Sequence, residues 1–171
     1  MMLNKAYFYT ATINSWIPLL VNDFKDIIMD SLLFLKKKKL VEIYGYVIMP
    51  NHIHLLWRLL EMNGKEMPSA SLLKFTAHEF KKQIGKTDFN LEQFKVDVAN
   101  KQYEFWQRDS WVTDIYSRSI AEQKLIYIHH NPLQPHWSLC TTPEEYQHSS
   151  ASFYSKGNEG DDLLTHYLEV F

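Results

Sequence analysis

At 171 residues, 46% hydrophobic and 15% aromatic, the chain carries enough apolar material for one folded domain with a sizeable core, which excludes a disordered or low-complexity polypeptide. Its formal charge of −2, from 18 Lys and Arg against 20 Asp and Glu, neither demands nor forbids a nucleic-acid partner, because the placement of the cations decides that. The single cysteine, Cys140, excludes an internal disulfide, no run approaches the ~18–20 apolar residues of a membrane span, and the start MMLNKAYFYTATI lacks the pattern of a secretory signal, so a cytoplasmic setting is expected.

Lys5 to Ile13, rich in Tyr, Phe, Thr and Ile, is predicted to be a strand. Pro18 opens a predicted helix to about Lys38, with Leu20, Phe24, Ile27, Ile28 and Leu35 at helical spacing and lysines 36–39 at its end, where cations complement the macrodipole. Val41–Met49 and His52–Leu60 form a predicted hairpin around the turn signal Pro50-Asn51. Ser69–Gly85 is a second predicted helix with Leu73, Thr76, Ala77, Phe80 and Ile84 on one stripe. The segment 87–100 fits no single element, and 104–115 is predicted as a short strand and turn. Ser119 starts a third helix, through a capping box with Glu122, that ends at Pro132. The remainder is aromatic and polar without a period, with a loop at 156–162 (KGNEGDD). The order strand, helix, strand, strand, helix, strand predicts an α+β fold over residues 1–171. It is a ferredoxin-like split βαβ antiparallel sheet with helices on one face and a C-terminal helix bearing Tyr127.

Two histidines interrupt the apolar run GYVIMPNHIHLLWRL. Strand alternation puts His52, His54, Leu56 and Arg58 on one side, and Ile53, Leu55, Trp57 and Leu59 on the core side. The imidazoles are therefore either polar residues on an open sheet face or two ligands converging on one ion. A metal requires them neutral, which an ordinary histidine pKa near ~6.5 permits. No H-E-x-x-H, C-x-x-C or P-loop accompanies them, so further ligands and any nucleophile come from elsewhere in the chain.

The third helix, reading IAEQKLIYIHHN into Pro132, offers such groups. Ala121, Leu125 and Ile128 form its apolar stripe, while Ile120, Lys124, Tyr127 and Asn131 share an adjacent face. His130 falls near that face and His129 points away. A tyrosine hydroxyl is a weak nucleophile unless a metal polarises the phosphate it attacks, and an amide oxygen with imidazoles suits Mg2+ or Mn2+. The alternative for Tyr127 is a half-buried packing residue.

These blocks resemble one family. YVIMPNHIHLLW resembles the histidine–hydrophobic–histidine motif of single-tyrosine HUH transposases, and YIHHNPLQPHW resembles the tyrosine helix of their REP-associated branch. FWQRDSW, SLLKFTAHEFKKQIGK and EEYQHSSASFY resemble further blocks of that branch, in the same order, over about residues 5–154. The run Asp109-Ser110-Trp111-Val112-Thr113 departs from the family pattern, and this chain is slightly acidic where many relatives are basic. The resemblance implies that His52 and His54 bind the divalent metal, with Asn131 as third ligand and His130 as its substitute. It implies that Tyr127 attacks a phosphodiester of single-stranded or hairpin DNA, giving a 5′-phosphotyrosine and a free 3′-hydroxyl, in a monomer or a homodimer.

Holding such DNA takes cations for the backbone and aromatic faces for bases. The expected contacts are Arg58, Lys74, Lys81, Lys82, Arg108 and Lys124, while Trp106 and Trp111 are expected to pack inside. The competing functions are a hairpin DNA- or RNA-binding module that does not cleave, and a metal-dependent phosphoesterase.

Overall fold

The computed structural model describes residues 1–98, 101–157 and 161–171. Four strands form one antiparallel sheet: β1 (Ala6–Thr12), β2 (Val41–Ile48), β3 (His52–Leu59) and β6 (Trp111–Ile115), in the order β2-β3-β1-β6. The helices α1 (Asp23–Lys37) and α2 (Pro68–Ile84) are the two crossovers of a ferredoxin-like split βαβ. A small hairpin, β4 (Lys95–Val98) with β5 (Lys101–Tyr103), occupies part of the segment that fitted no element, whose residues 99–100 lie outside the described residues. The loop predicted at 156–162 likewise includes residues 158–160, which lie outside the described residues.

Each face of the sheet has its own core. On one side Tyr7, Tyr9, Ile53, Leu55 and Trp57 pack with Phe24, Ile28 and Leu32 of α1 and Leu72 and Phe80 of α2, all buried. On the other, Ala6, Phe8, Tyr44, Val47 and Leu56 pack with Ala121, Leu125 and Ile128 of α3 (Arg118–His130). The strict alternation of β3 therefore serves two cores at once. Fully burying each such Leu, Ile or Phe is worth roughly 1.5–3 kcal/mol, so a slip of one residue would disrupt both faces.

The close approach of α3 depends on Gly45. A Cβ there would stand 2.4 Å from Leu125 Cδ2 and 3.0 Å from Ile128 Cδ1. The β2–β3 register shifts between Ile43 and Gly45, which places Tyr44 as well as Val47 in the α3 core while Ile43 and Ile48 stay in the other. The C-terminal segment covers the outer edge of β2 through bridges Val47–Ser149 and Ile43–Leu164.

Three sequence expectations are corrected. The first helix begins at Asp23, because Leu19 and Leu20 enter the core from irregular backbone and Asn22 takes a positive φ of 44°. The third helix is capped by Ser117, whose Oγ accepts from the Ile120 N–H at 3.4 Å. Glu122 pairs with Arg118 at 2.8 Å and accepts from the Tyr167 hydroxyl, so the box from Ser119 does not form. Of the two tryptophans expected inside, Trp106 is buried and donates to Thr76 Oγ1 at 2.9 Å, but Trp111 is 72% exposed. No helix among the described residues is long and apolar enough to cross a membrane.

Candidate active site

The sheet face that meets α3 carries a cleft of ≈350 Å³ at one end of the helix. His52 and His54 enter it from β3, opposite Thr12 and Thr10 of β1. Tyr127 and Asn131 enter from α3 and its end. Alternation along β3 and the four-residue step of α3 thus bring together two pairs of residues that lie far apart in sequence. All four belong to the same chain.

The imidazoles are oriented by partners on their Nδ1 atoms. His52 Nδ1 lies 2.7 Å from Asn51 Oδ1, an acceptor only, so Nδ1–H donates and Nε2 keeps a lone pair. His54 Nδ1 lies 2.7 Å from Thr10 Oγ1, and Asn131 Nδ2 donates to His54 Nε2 at 3.3 Å, which makes Nε2 the acceptor there too. The two rings are 4.7 Å apart between centroids. His54 stacks on Phe8 at 5.2 Å and meets the Tyr127 ring at 5.4 Å. Tyr127 is half-exposed, and its hydroxyl makes no hydrogen bond among the described residues. The Lys124 ammonium stands 4.7 Å above the Phe8 ring, the same ring that supports His54.

Asn131 Oδ1 is buried and has no hydrogen-bond partner. An orphaned buried acceptor costs about 1–3 kcal/mol. It lies on the side chain whose Nδ2 reaches His54 Nε2, in the cleft that His52 also lines. Two Nε2 lone pairs and this amide oxygen fit a hard divalent cation that completes its shell with water or phosphate oxygens. Among the described residues no group of three or more His, Cys, Asp or Glu side chains is placed to hold a metal, so the amide is essential to that fit.

Burial holds both imidazoles neutral. It lowers the His54 pKa to about 3, with the neighbouring His52 and Lys124 charges adding to the effect, and the His52 pKa to about 4. Burial also lowers His129, bonded through Nε2 to Ser150 Oγ at 2.8 Å, to about 4. These depressed values are stability stored above the unfolded-state pKa near ~6.5 and lost as pH falls toward the folded values. The metal-free protein should therefore lose stability between pH ~6.5 and ~4, by up to about 1.4 kcal/mol per pH unit for each histidine. Urea titrations across that window, in the presence of a chelator, check this; a flat profile would contradict the neutral, buried assignment.

Several residues at the site were not anticipated from sequence. Thr10 and Asn51 fix the two imidazoles. Thr12, Trp16, Gln134, His136 and Trp137 complete the lining. Only Asn51 had a sequence signal, its place between Pro50 and His52. Ser150 also emerges as a fastener: its Oγ takes the Tyr46 N–H at 3.0 Å as well as contacting His129, tying α3 to β2.

Other predicted site residues lie outside the cleft. His130 is exposed, with Nδ1 at 2.9 Å from the Ile126 carbonyl of its own helix, because the turn that aims Asn131 inward carries its neighbour outward. Arg58 is further along β3 beside Glu42, at 3.8 Å. Lys74, Lys81 and Lys82 are on α2, whose core lies across the sheet from the histidines. Lys74 pairs with Glu66, Lys82 with Glu79, and Lys81 sits 4.9 Å from the Tyr103 ring centroid. Arg108 stands 3.6 Å from Glu104 and shares a groove with Lys74. Of the six cations, Lys124 alone stands over Phe8, the ring that His54 and Tyr127 also meet.

No protein-family model matches the chain, and no curated protein matches it in sequence. Among solved structures it is similar to a REP-associated tyrosine transposase bound to a REP hairpin, with a TM-score of 0.64 at 18% identity, over 96% of this chain and 87% of that one. A "putative transposase" from Deinococcus radiodurans R1 matches with a TM-score of 0.47 at 16% identity, over 76% of this chain and 92% of that one. The mixed α+β fold, with its four-stranded antiparallel sheet, is the fold of a tyrosine transposase.

Proposed function

We propose that the chain is a metal-dependent transferase of single-stranded or hairpin DNA, of the tyrosine transposase type. The observation that carries this reading is the convergence of His52, His54, Asn131 and Tyr127 of one chain on one cleft. The fold shared with a hairpin-bound tyrosine transposase supports it.

His52 Nε2, His54 Nε2 and Asn131 Oδ1 would hold Mg2+ or Mn2+. A half-turn of the amide exchanges the oxygen with the nitrogen that now faces His54. When bound, the ion neutralises charge on the phosphodiester and so makes it attackable. Tyr127 Oη would form a bond to phosphorus while the P–O3′ bond breaks. The hydroxyl proton passes through solvent to the departing oxygen, leaving a 5′-phosphotyrosine and a 3′-OH. The bond count is unchanged and no water is consumed, so rejoining stays accessible. Phe8 and Lys124 would position the ring and add positive charge. Arg58, Lys74, Lys81, Lys82 and Arg108 would meet more distant backbone phosphates, and the tyrosine would act within its own subunit.

The test is a hairpin oligonucleotide labelled at each end in turn, incubated with Mn2+. The reading expects the 3′-side fragment to become protein-linked and the 5′-side fragment to end in a 3′-OH. Two free fragments would make the chain a phosphoesterase, and tight binding without scission would make it a binding module. The orienting partners of the histidines give a separate check. Thr10→Val removes the hydroxyl at His54 Nδ1 while keeping the shape, and should weaken Mn2+ binding about 10–100-fold, read by titration calorimetry. Unchanged affinity would detach His54 from the metal.

A further inference from the structure

We propose that Trp16, with Trp137, forms a base-stacking face of the cleft that takes one unpaired nucleobase next to the bond to be cut. The proposal rests on the reading of the cleft as a DNA-transfer site and names what its substrate must present.

Trp16 is held in an unfavourable place. It is 60% exposed, and both it (φ 57°) and Ser15 (φ 56°) occupy the left-handed region. Crowding of Cβ against the backbone costs L-residues about 1–2 kcal/mol each there, and an indole left 60% exposed gains only part of the burial that would offset it. The fold nevertheless fixes the turn. Asn14 N–H donates to the Phe105 carbonyl at 2.7 Å, and Asn51 Nδ2 donates to the Trp16 carbonyl at 3.2 Å. The other end of the same Asn51 amide accepts from His52 Nδ1–H at 2.7 Å. One side chain thus couples the position of the exposed indole to that of a metal-binding imidazole. Strain retained by specific contacts, in a segment lining the candidate site, points to a ligand as its reason.

The rest of the lining suits a nucleotide. Trp137 comes from a different segment, with its ring 6.0 Å from His52 and 5.4 Å from His136, and the residue after it, Ser138, is again left-handed at φ 46°. Gln134, exposed at the same cleft, offers an amide donor and acceptor to a base edge. None of the ten lining residues is a carboxylate, so a phosphodiester meets no fixed negative charge. At ≈350 Å³ the cleft is at the small end of ligand sites, and takes a base with its phosphate rather than a length of duplex. Every base has a π-face, so the contact selects for an unpaired base and not for its identity.

The experiment compares binding of two fluorescent probes, a short oligo(dT) and an abasic strand of the same length, to full-length protein with Mg2+. All measurements use the Tyr127→Phe background, so that binding is read apart from cleavage. Removing the bases should weaken binding to the parent by about tenfold or more. Trp16→Ala should lose that factor on oligo(dT) and little on the abasic strand, while Trp16→Phe retains most of it. Because Trp16 is exposed, the melting temperature should not move. Equal losses on both probes, no loss on oligo(dT), or absence of binding to either probe would overturn the proposal. The reading of function fails separately: stacking without covalent transfer in the Tyr127 protein would leave a single-strand-binding cleft, and transfer with no Trp16 dependence would leave the enzyme without this subsite.

Discussion

Replacing Tyr127 by Phe should abolish the covalent protein–DNA product and cut strand scission by on the order of a thousandfold or more, the range seen when a nucleophile is removed from a site that acts as a unit. The loss should be purely chemical. The residue is half-exposed and its hydroxyl has no hydrogen-bond partner among the described residues, so removing the hydroxyl should change stability by no more than about 0.5 kcal/mol. His52, His54 and Asn131 are untouched, and Mn2+ affinity should stay within error. Scission that survives in the Phe variant would make water the nucleophile and the site a phosphoesterase. A collapse of stability instead would make Tyr127 a packing residue, against its exposure.

The second large effect is expected far from any reacting atom. Gly45→Val places a branched side chain where Leu125 Cδ2 stands 2.4 Å and Ile128 Cδ1 3.0 Å from an ideal Cβ. Leu125 has a flexible end, but the neighbouring Ile128 and the Ser150 Oγ, at 3.3 Å, leave it little room to retreat. Overpacking of this kind costs typically 1–3 kcal/mol, which urea unfolding would show. The helix that must give way carries Tyr127 and aims Asn131. A displacement near 1 Å at a reacting group costs on the order of a hundredfold in rate, so transfer should fall much further than the fraction folded. Activity that merely tracks the folded fraction would show that α3 need not be held this closely.

The candidate site was legible where a single periodicity governs. In β3 the period of two separates His52 and His54 from Ile53, Leu55 and Trp57, and the structure keeps that division because each face has a core of its own. In α3 the spacing of Tyr127 and Asn131 gave a common face, and both line the cleft. The sequence could not show which of two adjacent residues turns inward at the helix end. Asn131 does and His130 does not, because Pro132 redirects the chain into a 3-10 turn beginning at Asn131. The bulge at Tyr44 was equally hidden: a strand read at period two puts Tyr44 opposite Gly45, whereas the shift lets both serve the α3 side. Trp16, His136 and Trp137 lie on irregular segments, where no period exists to read. The distance of the α2 lysines from the cleft has a topological reason. Composition marks α2 as basic along its outer side, but only the sheet order shows that this helix lies across the sheet from the histidines.

The most direct measurement is the identity of the residue that carries DNA. Protein trapped with a hairpin oligonucleotide and Mn2+, then digested with nuclease and trypsin, should yield a nucleotide-bearing peptide from residues 125–156, which contains Tyr127, Tyr146 and Tyr154. Fragmentation should place the added phosphate on Tyr127. DNA that is cut while Tyr127 remains unmodified, or a phosphate carried by any other residue, would contradict the account.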